Sequence, residues 1–416
     1  MALNELDRFL AYAKVDTQSR KAAPGEEEQH PSSAGQAELA SIVFQELCGI
    51  GVPEQQITRL GDGSLLVYLP PTEGCENKPT AAFAAHFDTY PASSGKVNPI
   101  IHDYAGGDIV LPNDGTVIPA ADLAGFEGSQ IVTGDGTSLL GGDDKAGVAG
   151  LMEAISRIIG EELPHGPLYI WLCVDEEIGK VGTDFLPEGV PDQWDIFLTV
   201  DGKGVDTVDI GCFNGAEAVF TFIGNDAHPG IDGDKLKPAH FVAARFVSTI
   251  ATLQCPWDPA DAEDSFYYAF FLGEPTPGRA VVQCVPRSFD LRDLDGMAKD
   301  LRGLAQEAAD VFEVTLEGGE LKVLYVSTEE AIAANPGLME VVFAAVGANG
   351  YPLVKERVRA GTDGAMLNMK YPDIPAPNLG TGARNLHGVR EFLAVREFET
   401  VVPTLLRIIA GFAEMG

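Results

Sequence analysis

Basic residues are scarce in this chain of 416 residues: 28 lysines and arginines stand against 62 aspartates and glutamates, a formal charge of -34. Such a field repels phosphate backbones and anionic lipid, so neither nucleic acid nor membrane is expected as a partner. Solubility or adaptation to salt explains the acidity without any binding role, although a metal site sits comfortably in a negative field. Cysteine is sparse as well. The six, Cys48, Cys75, Cys173, Cys212, Cys255 and Cys284, are scattered with no C-x-x-C pair, which excludes a dense disulfide framework and reads as reduced thiols. A basic, apolar leader is missing, since Met1 is followed by Ala-Leu-Asn-Glu-Leu-Asp-Arg, and no uninterrupted apolar stretch is long enough to span a bilayer. The expected location is the cytoplasm. Internal repeats and low-complexity tracts are absent too.

What is present is enough apolar material, 45% of residues, for a large core, and a length that suits two domains better than one. Helical periodicity marks 6–13, roughly 35–47, 144–159, 338–348 and 397–412, with a polar Gly, Pro and Ser-rich loop over 16–33. Turn-bounded apolar runs at 64–69, 80–85, 168–174 and 196–200 read as strands, the last two continuous enough to be covered on both faces. Residues 96–138 read as a long excursion with small hairpins that shapes a rim. From about Phe213 the texture becomes α+β, with strands near 218–223 and 313–316 and helices near 238–253 and 293–311.

Five short segments carry the chemistry: His86-Phe87-Asp88, Asp143-Asp144-Lys145, Glu176-Glu177, Asp201 and His387. The first four closely follow apolar runs or open a helix, and strand ends in an open α/β sheet converge on one crevice. Two histidines with several carboxylates and no thiolate form the ligand set of catalytic zinc or its hydrolytic substitutes, and a single bridging carboxylate allows two ions. Read singly, each segment has a plainer explanation. His86 suits a structural histidine, one of Asp143 and Asp144 a helix N-cap, and Glu176-Glu177 a solvated turn. The N-cap explains one acid of that pair and not both. The set carries the inference.

Together these segments resemble the peptidase T family of co-catalytic zinc aminopeptidases. The matching stretches run in the family's order from Arg8-Phe9-Leu10 and Asp16-Thr17-Gln18-Ser19 through His86-Phe87-Asp88-Thr89, Asp135 to Gly147, Asp175-Glu176-Glu177-Ile178-Gly179, Thr199-Val200-Asp201-Gly202, His228-Pro229-Gly230 and Gly361-Thr362-Asp363-Gly364 to His387-Gly388. They cover essentially the whole chain. The resemblance implies an α/β catalytic domain with a mixed central sheet flanked by helices, made of residues 1–212 and 329–416, and a smaller α+β lid domain inserted at 213–328. It implies two divalent ions, zinc first among them, with His86 and Asp201 on one, Glu177 and His387 on the other, and Asp143 between. Asp88 would orient His86, and Glu176 would be the general base. His228 would lie near the oxyanion, while Arg287 and, from the catalytic domain, Arg359 would grip peptide carbonyl or carboxylate groups.

The implied activity is removal of the N-terminal residue from a tripeptide, with a short peptide as the partner and a homodimer as a possible assembly. A dipeptidase, carboxypeptidase or N-acyl deacylase would use the same metal shell, and a peptide-binding protein that has lost turnover is a reading from another class. The chain departs from the family in Gly142, where alanine is usual, in Asp201-Gly202-Lys203, and in Ile231 to Pro238 after His228. The last departure bears on peptide preference.

Overall fold

The computed structural model describes residues 3–22, 26–92, 96–179, 181–257 and 264–416, and divides into two compact units. The first comprises Met1–Gly211, Thr328–Glu356 and Thr362–Gly416; the second comprises Cys212–Ser327 with Arg357–Gly361. Residues 357–361, and with them Arg359, therefore group with the second unit and not with the catalytic segment expected from the sequence. Phe213 N–H donates to the Val358 carbonyl at 3.1 Å, and the Arg357 and Arg359 guanidinium groups lie over aromatic rings of that unit.

An eight-stranded mixed sheet forms the first unit, in the order Ile57–Arg59, Leu65–Leu69, Leu168–Cys173, Ala81–His86, Ile196–Gly202, Asn378–Gly380, Thr207–Cys212 and Val354–Val358. Four central strands, Leu168–Cys173, Ala81–His86, Ile196–Gly202 and Asn378–Gly380, run parallel, so their carboxyl ends lie side by side. Side-chain alternation divides the core. Phe83, Ala85, Ile170, Leu172, Leu198 and Val200 face helices Ala34–Ile50, Gly142–Gly160, Pro336–Gly347 and Val401–Glu414, whereas Ala82, Ala84, Trp171 and Phe197 pack with Trp194, Leu367 and Ile374 on the other side. A slip of one residue in the central strand would exchange Phe83 for Ala82 under the helices and turn His86 out of the crevice.

The 96–138 excursion contributes Ser129–Thr133 and Ile100–Tyr104 to a four-stranded antiparallel sheet, in the order Ala383–Arg384, Phe392–Ala394, Ser129–Thr133 and Ile100–Tyr104, and forms the hairpin Ile109–Val110 with Val117–Ile118. Its own apolar cluster includes Tyr104, Ile118, Leu123, Phe126 and Phe392.

In the second unit a five-stranded antiparallel sheet is built around Asn214–Ile223, and helices Ala239–Ile250 and Asp293–Val311 cover one face through Phe220, Phe222, Phe246 and Leu301. The strand expected at 313–316 extends over Thr315–Tyr325. Gly318 and Gly319, at φ 79° and 85°, hid its length. A Cβ on Gly319 would meet the Phe220 ring at 2.4 Å, so the break in the apolar pattern is a close approach and not the end of the strand. Among the described residues no helix is long and apolar enough to cross a membrane.

Candidate metal centre

Parallel strands put the expected residues within reach of one another. His86 is the last residue of its strand, beside Cys173 in register, and the chain beyond Cys173 turns through Asp175, at φ 59°, into a 3-10 turn that carries Glu176 and Glu177. Asp201 lies at the end of the neighbouring parallel strand. Asp143 and Asp144 open the long helix with non-helical dihedrals. Here the structure separates the two acids. Asp144 is the N-cap, accepting the Gly147 N–H at 3.0 Å and the His86 N–H at 3.2 Å, while Asp143 faces the histidines. Gly147 lets helix and strand close together, because a Cβ there would meet the Val200 carbonyl oxygen at 2.1 Å.

The carboxylate of Asp143 stands between the two imidazoles: Oδ1 is 3.0 Å from His86 Nε2, and Oδ2 is 3.1 Å from His387 Nε2. Asp201 Oδ1 lies 3.5 Å from His86 Nε2, and Glu177 Oε1 lies 2.9 Å from His387 Nε2. Two groups of three could each hold a cation, His86 with Asp144 and Asp201, and His86 with Asp143 and Glu177, the ligand atoms within 4.8 Å of one another. Buried His86 Nε2 and Glu177 Oε1 make no hydrogen bond of good angle despite these short distances. Donor atoms gathered this closely, two of them buried without a hydrogen bond, suit a cation, and nitrogen with oxygen donors suits zinc or a similar divalent ion.

Electrostatics give the same picture. Burial raises Asp201 and Asp144 far above the carboxylate range, with neighbouring acids adding to it, and brings Glu177 up to about 7. Burial by itself would lower His387, but Asp143 and Glu177 outweigh it and hold the ring at about 10. His86 is raised in the same way, against burial, chiefly by Asp201 and Asp143. A divalent cation relieves this crowding by taking the place of protons.

Asp88 differs in detail from its expected role. The His86 Nδ1 proton goes to the Asp88 backbone oxygen at 2.9 Å, while the nearest Asp88 carboxylate oxygen is 3.4 Å away. That bond to a carbonyl fixes the tautomer and leaves Nε2 for the site. The Asp88 carboxylate instead accepts the N–H groups of Glu176 at 3.0 Å and Glu177 at 3.1 Å, capping the turn on which both glutamates ride. Asp175, fully buried, accepts from His30 Nδ1 at 2.7 Å, from Ser32 N–H and hydroxyl, and from Gln36 Nε2, fastening the same turn on its other side.

Two further supports, Glu391 and Asn378, were not apparent from the sequence, and a third, Lys145, was visible there only as the neighbour of two acids. Glu391, buried, accepts the N–H groups of Gly141 at 2.8 Å and Asp143 at 3.0 Å. A methyl group on Gly142 would come within 3.1 Å of both Ala383 Cβ and a Glu391 oxygen, so an alanine there would need these neighbours to give slightly. Asn378 Oδ1 accepts the Asp201 N–H at 3.1 Å and the Thr199 hydroxyl at 2.8 Å. Lys145, buried, donates to the Val15 carbonyl at 2.7 Å. An acid four residues after His387, at the start of the apolar run Phe392-Leu393-Ala394-Val395, was the available signal for Glu391.

His228, Arg287 and Arg359 belong to the second unit. His228 is exposed, and its Nδ1 accepts the Gly230 N–H at 3.2 Å, which leaves the proton of the neutral ring on Nε2. Arg287 Nη1 donates to the Ala216 and Pro286 carbonyls. The Arg359 guanidinium lies over the Phe266 and Phe213 rings, 5.1 and 5.6 Å from their centroids, with Nε and Nη2 buried and, among the described residues, without a hydrogen-bond partner.

Comparison with known proteins follows the same lines. The profile of peptidase family M20/M25/M40 matches residues 135–411. A peptidase T from Clostridium perfringens is 35% identical over 421 residues, covering 98% of each chain. The fold is similar to that of the aminopeptidase PepT from Bacillus cereus, with TM-score 0.72 at 20% identity over 99% of this chain and 98% of the other. A Staphylococcus aureus tripeptidase aligns with TM-score 0.73, also at 20% identity over 99% and 98%. The chain therefore belongs to peptidase family M20/M25/M40 and, within it, to the peptidase T family.

Proposed function

We propose that this chain is a metallo-aminopeptidase that releases the N-terminal residue of tripeptides. The observation that carries the reading is the Asp143 carboxylate, one oxygen toward each histidine, in a chain whose relatives are peptidases T. His86 and Asp201 would hold one divalent ion, His387 and Glu177 a second, and Asp143 would bridge them; zinc is the ion the donors suit first. Such ions, when bound, make water acidic and polarise a carbonyl.

Glu176 is the proton carrier. Its backbone is held by Asp88, and its carboxylate lies near enough to Glu177 and Asp201 to raise their pKa values, so a proton taken from the attacking water can be handed to the departing amine. The Nε2–H of His228 is available to donate to a developing oxyanion. Arg359 offers buried donors that no described residue pairs, in a planar fork, the geometry a peptide carboxylate fills, and Arg287 is a further arginine of the same unit. Recognition of both charged ends restricts length, because a charged end buried without its partner is costly.

Mass spectrometry of a free tripeptide and its N-acetylated and C-amidated forms tests this. Release of the N-terminal residue from the free peptide alone is expected, abolished by chelation and lowered about 100- to 10,000-fold in Glu176→Ala with metal content unchanged. Cleavage at the C-terminal side, or loss of the acetyl group, would assign a sister hydrolase activity instead. Binding without products would assign a peptide-binding protein.

A further inference from the structure

The two site histidines are oriented by different devices. His86 is fixed through Nδ1, which donates to the Asp88 carbonyl at 2.9 Å. Among the described residues no protein group hydrogen-bonds His387 Nδ1; both polar contacts of that ring, to Asp143 and Glu177, are made through Nε2. His387 also has the more open setting. Its side chain is 43% exposed, and its backbone, like that of Asn385, is in the left-handed region, with φ 63° and 55°. One nitrogen held at one end leaves the ring free to swing about that contact.

Tyr90 meets that need. Its ring lies parallel to the His387 imidazole, centroids 4.1 Å apart and planes 4° apart. Tyr90 is only two residues beyond Asp88, so the single stretch 86–90 reaches both imidazoles. Its base is firm. The Tyr90 carbonyl accepts the Ala92 N–H at 2.8 Å, and the adjoining Thr89 exchanges backbone hydrogen bonds with Thr17 and Ser19. The segment leading to Thr17 is tied in turn to the helix start by Lys145 on the Val15 carbonyl. A stack on so fixed a support sets the plane of the imidazole and keeps water from one of its faces.

We propose that Tyr90 is a positioning residue for His387, doing by ring stacking what the Asp88 carbonyl does for His86 by hydrogen bonding. The proposal rests on the reading of His387 as a metal ligand. At 37% exposure Tyr90 contributes little to the core, so its loss should act on the site and not on folding.

The test is a Co2+ titration of metal-free full-length protein, followed by calorimetry and visible absorption, on wild type, Tyr90→Ala, Tyr90→Phe, His86→Ala and His387→Ala. Wild type should bind two ions. Tyr90→Ala should weaken one step about 3- to 10-fold, the worth of an aromatic stack, and it should be the step removed by His387→Ala. The d–d band of that step should shift as the ring plane loosens. Tyr90→Phe, which keeps the stack, should match wild type. Unchanged binding and spectrum in Tyr90→Ala, or an equal loss in Tyr90→Phe, would overturn the role of the stack. If His387→Ala itself binds two ions as wild type does, the ligand reading of His387 falls first, and the two failures are thereby told apart.

Discussion

Glu391 acts at one remove, through the backbone of the residue it supports. Its two oxygens hold the Gly141 and Asp143 N–H groups, fixing the direction from which the Asp143 carboxylate enters between the histidines, and burial pushes its own pKa up to about 7. Glu391→Ala should lower affinity for the metal pair by about 10- to 100-fold, the usual effect of removing a group that orients a ligand. Glu391→Gln, which keeps one acceptor, should recover part of it. Competition with a chromophoric chelator measures both, and unchanged affinity in the alanine variant would reduce Glu391 to a packing residue. Such a support is hard to read from sequence. His86, Asp143, Glu177, Asp201 and His387 declare themselves as side chains able to hold a cation, whereas the partners of Glu391 are backbone N–H groups, present at nearly every position and here about 250 residues away. Asp88 was legible as a site residue for the same reason that its task was not: an acid two residues after a histidine stands out, but the N–H groups it caps do not.

Long apolar runs made three of the four central strands and the main helices legible, since each buries a continuous face. Short elements were not. Asn378–Gly380 and Phe392–Ala394 each have three residues, and Val354–Val358 reads Val-Lys-Glu-Arg-Val because its outer position in the sheet leaves Lys355 and Glu356 exposed. The pairing of Asn378–Gly380 with Thr207–Cys212 places Asp209 against Asn378, whose Nδ2 donates to it at 2.9 Å. Burial raises the Asp209 carboxyl to about 7, against an unfolded value of about 3.9. Between those values the folded chain keeps a proton that the unfolded chain has released, so stability falls as pH rises through the window and the full loss is felt above about pH 7. Asp209→Asn should therefore be more stable than wild type at pH 8, by about 1–2 kcal/mol. The gain should shrink to nothing as pH falls towards about 4. Denaturant melts across that range follow it, and a constant difference at every pH would contradict the assignment.

At the scale of the molecule the formal charge of -34 governs how stability responds to salt. Repulsion among so many carboxylates opposes the compact state and is screened within about 10 Å at 0.1 M salt. The melting temperature should rise by several degrees between dilute buffer and molar potassium chloride. A potassium glutamate series separates screening from anion effects; a flat or falling curve would mean that local ion pairs, such as Arg8 with Glu46 and Glu153, outweigh the overall repulsion.

The span between Asp143 and Glu391 also sets a clock. During synthesis His86, Asp143, Glu176, Glu177 and Asp201 all leave the ribosome long before His387, and the loop that aims Asp143 is unfastened until Glu391 follows. A nascent chain thus carries most of the candidate site's side chains without the means to align them. Until Glu391 emerges nothing fastens the Gly141 and Asp143 N–H groups, so the site can assemble only when synthesis is nearly complete.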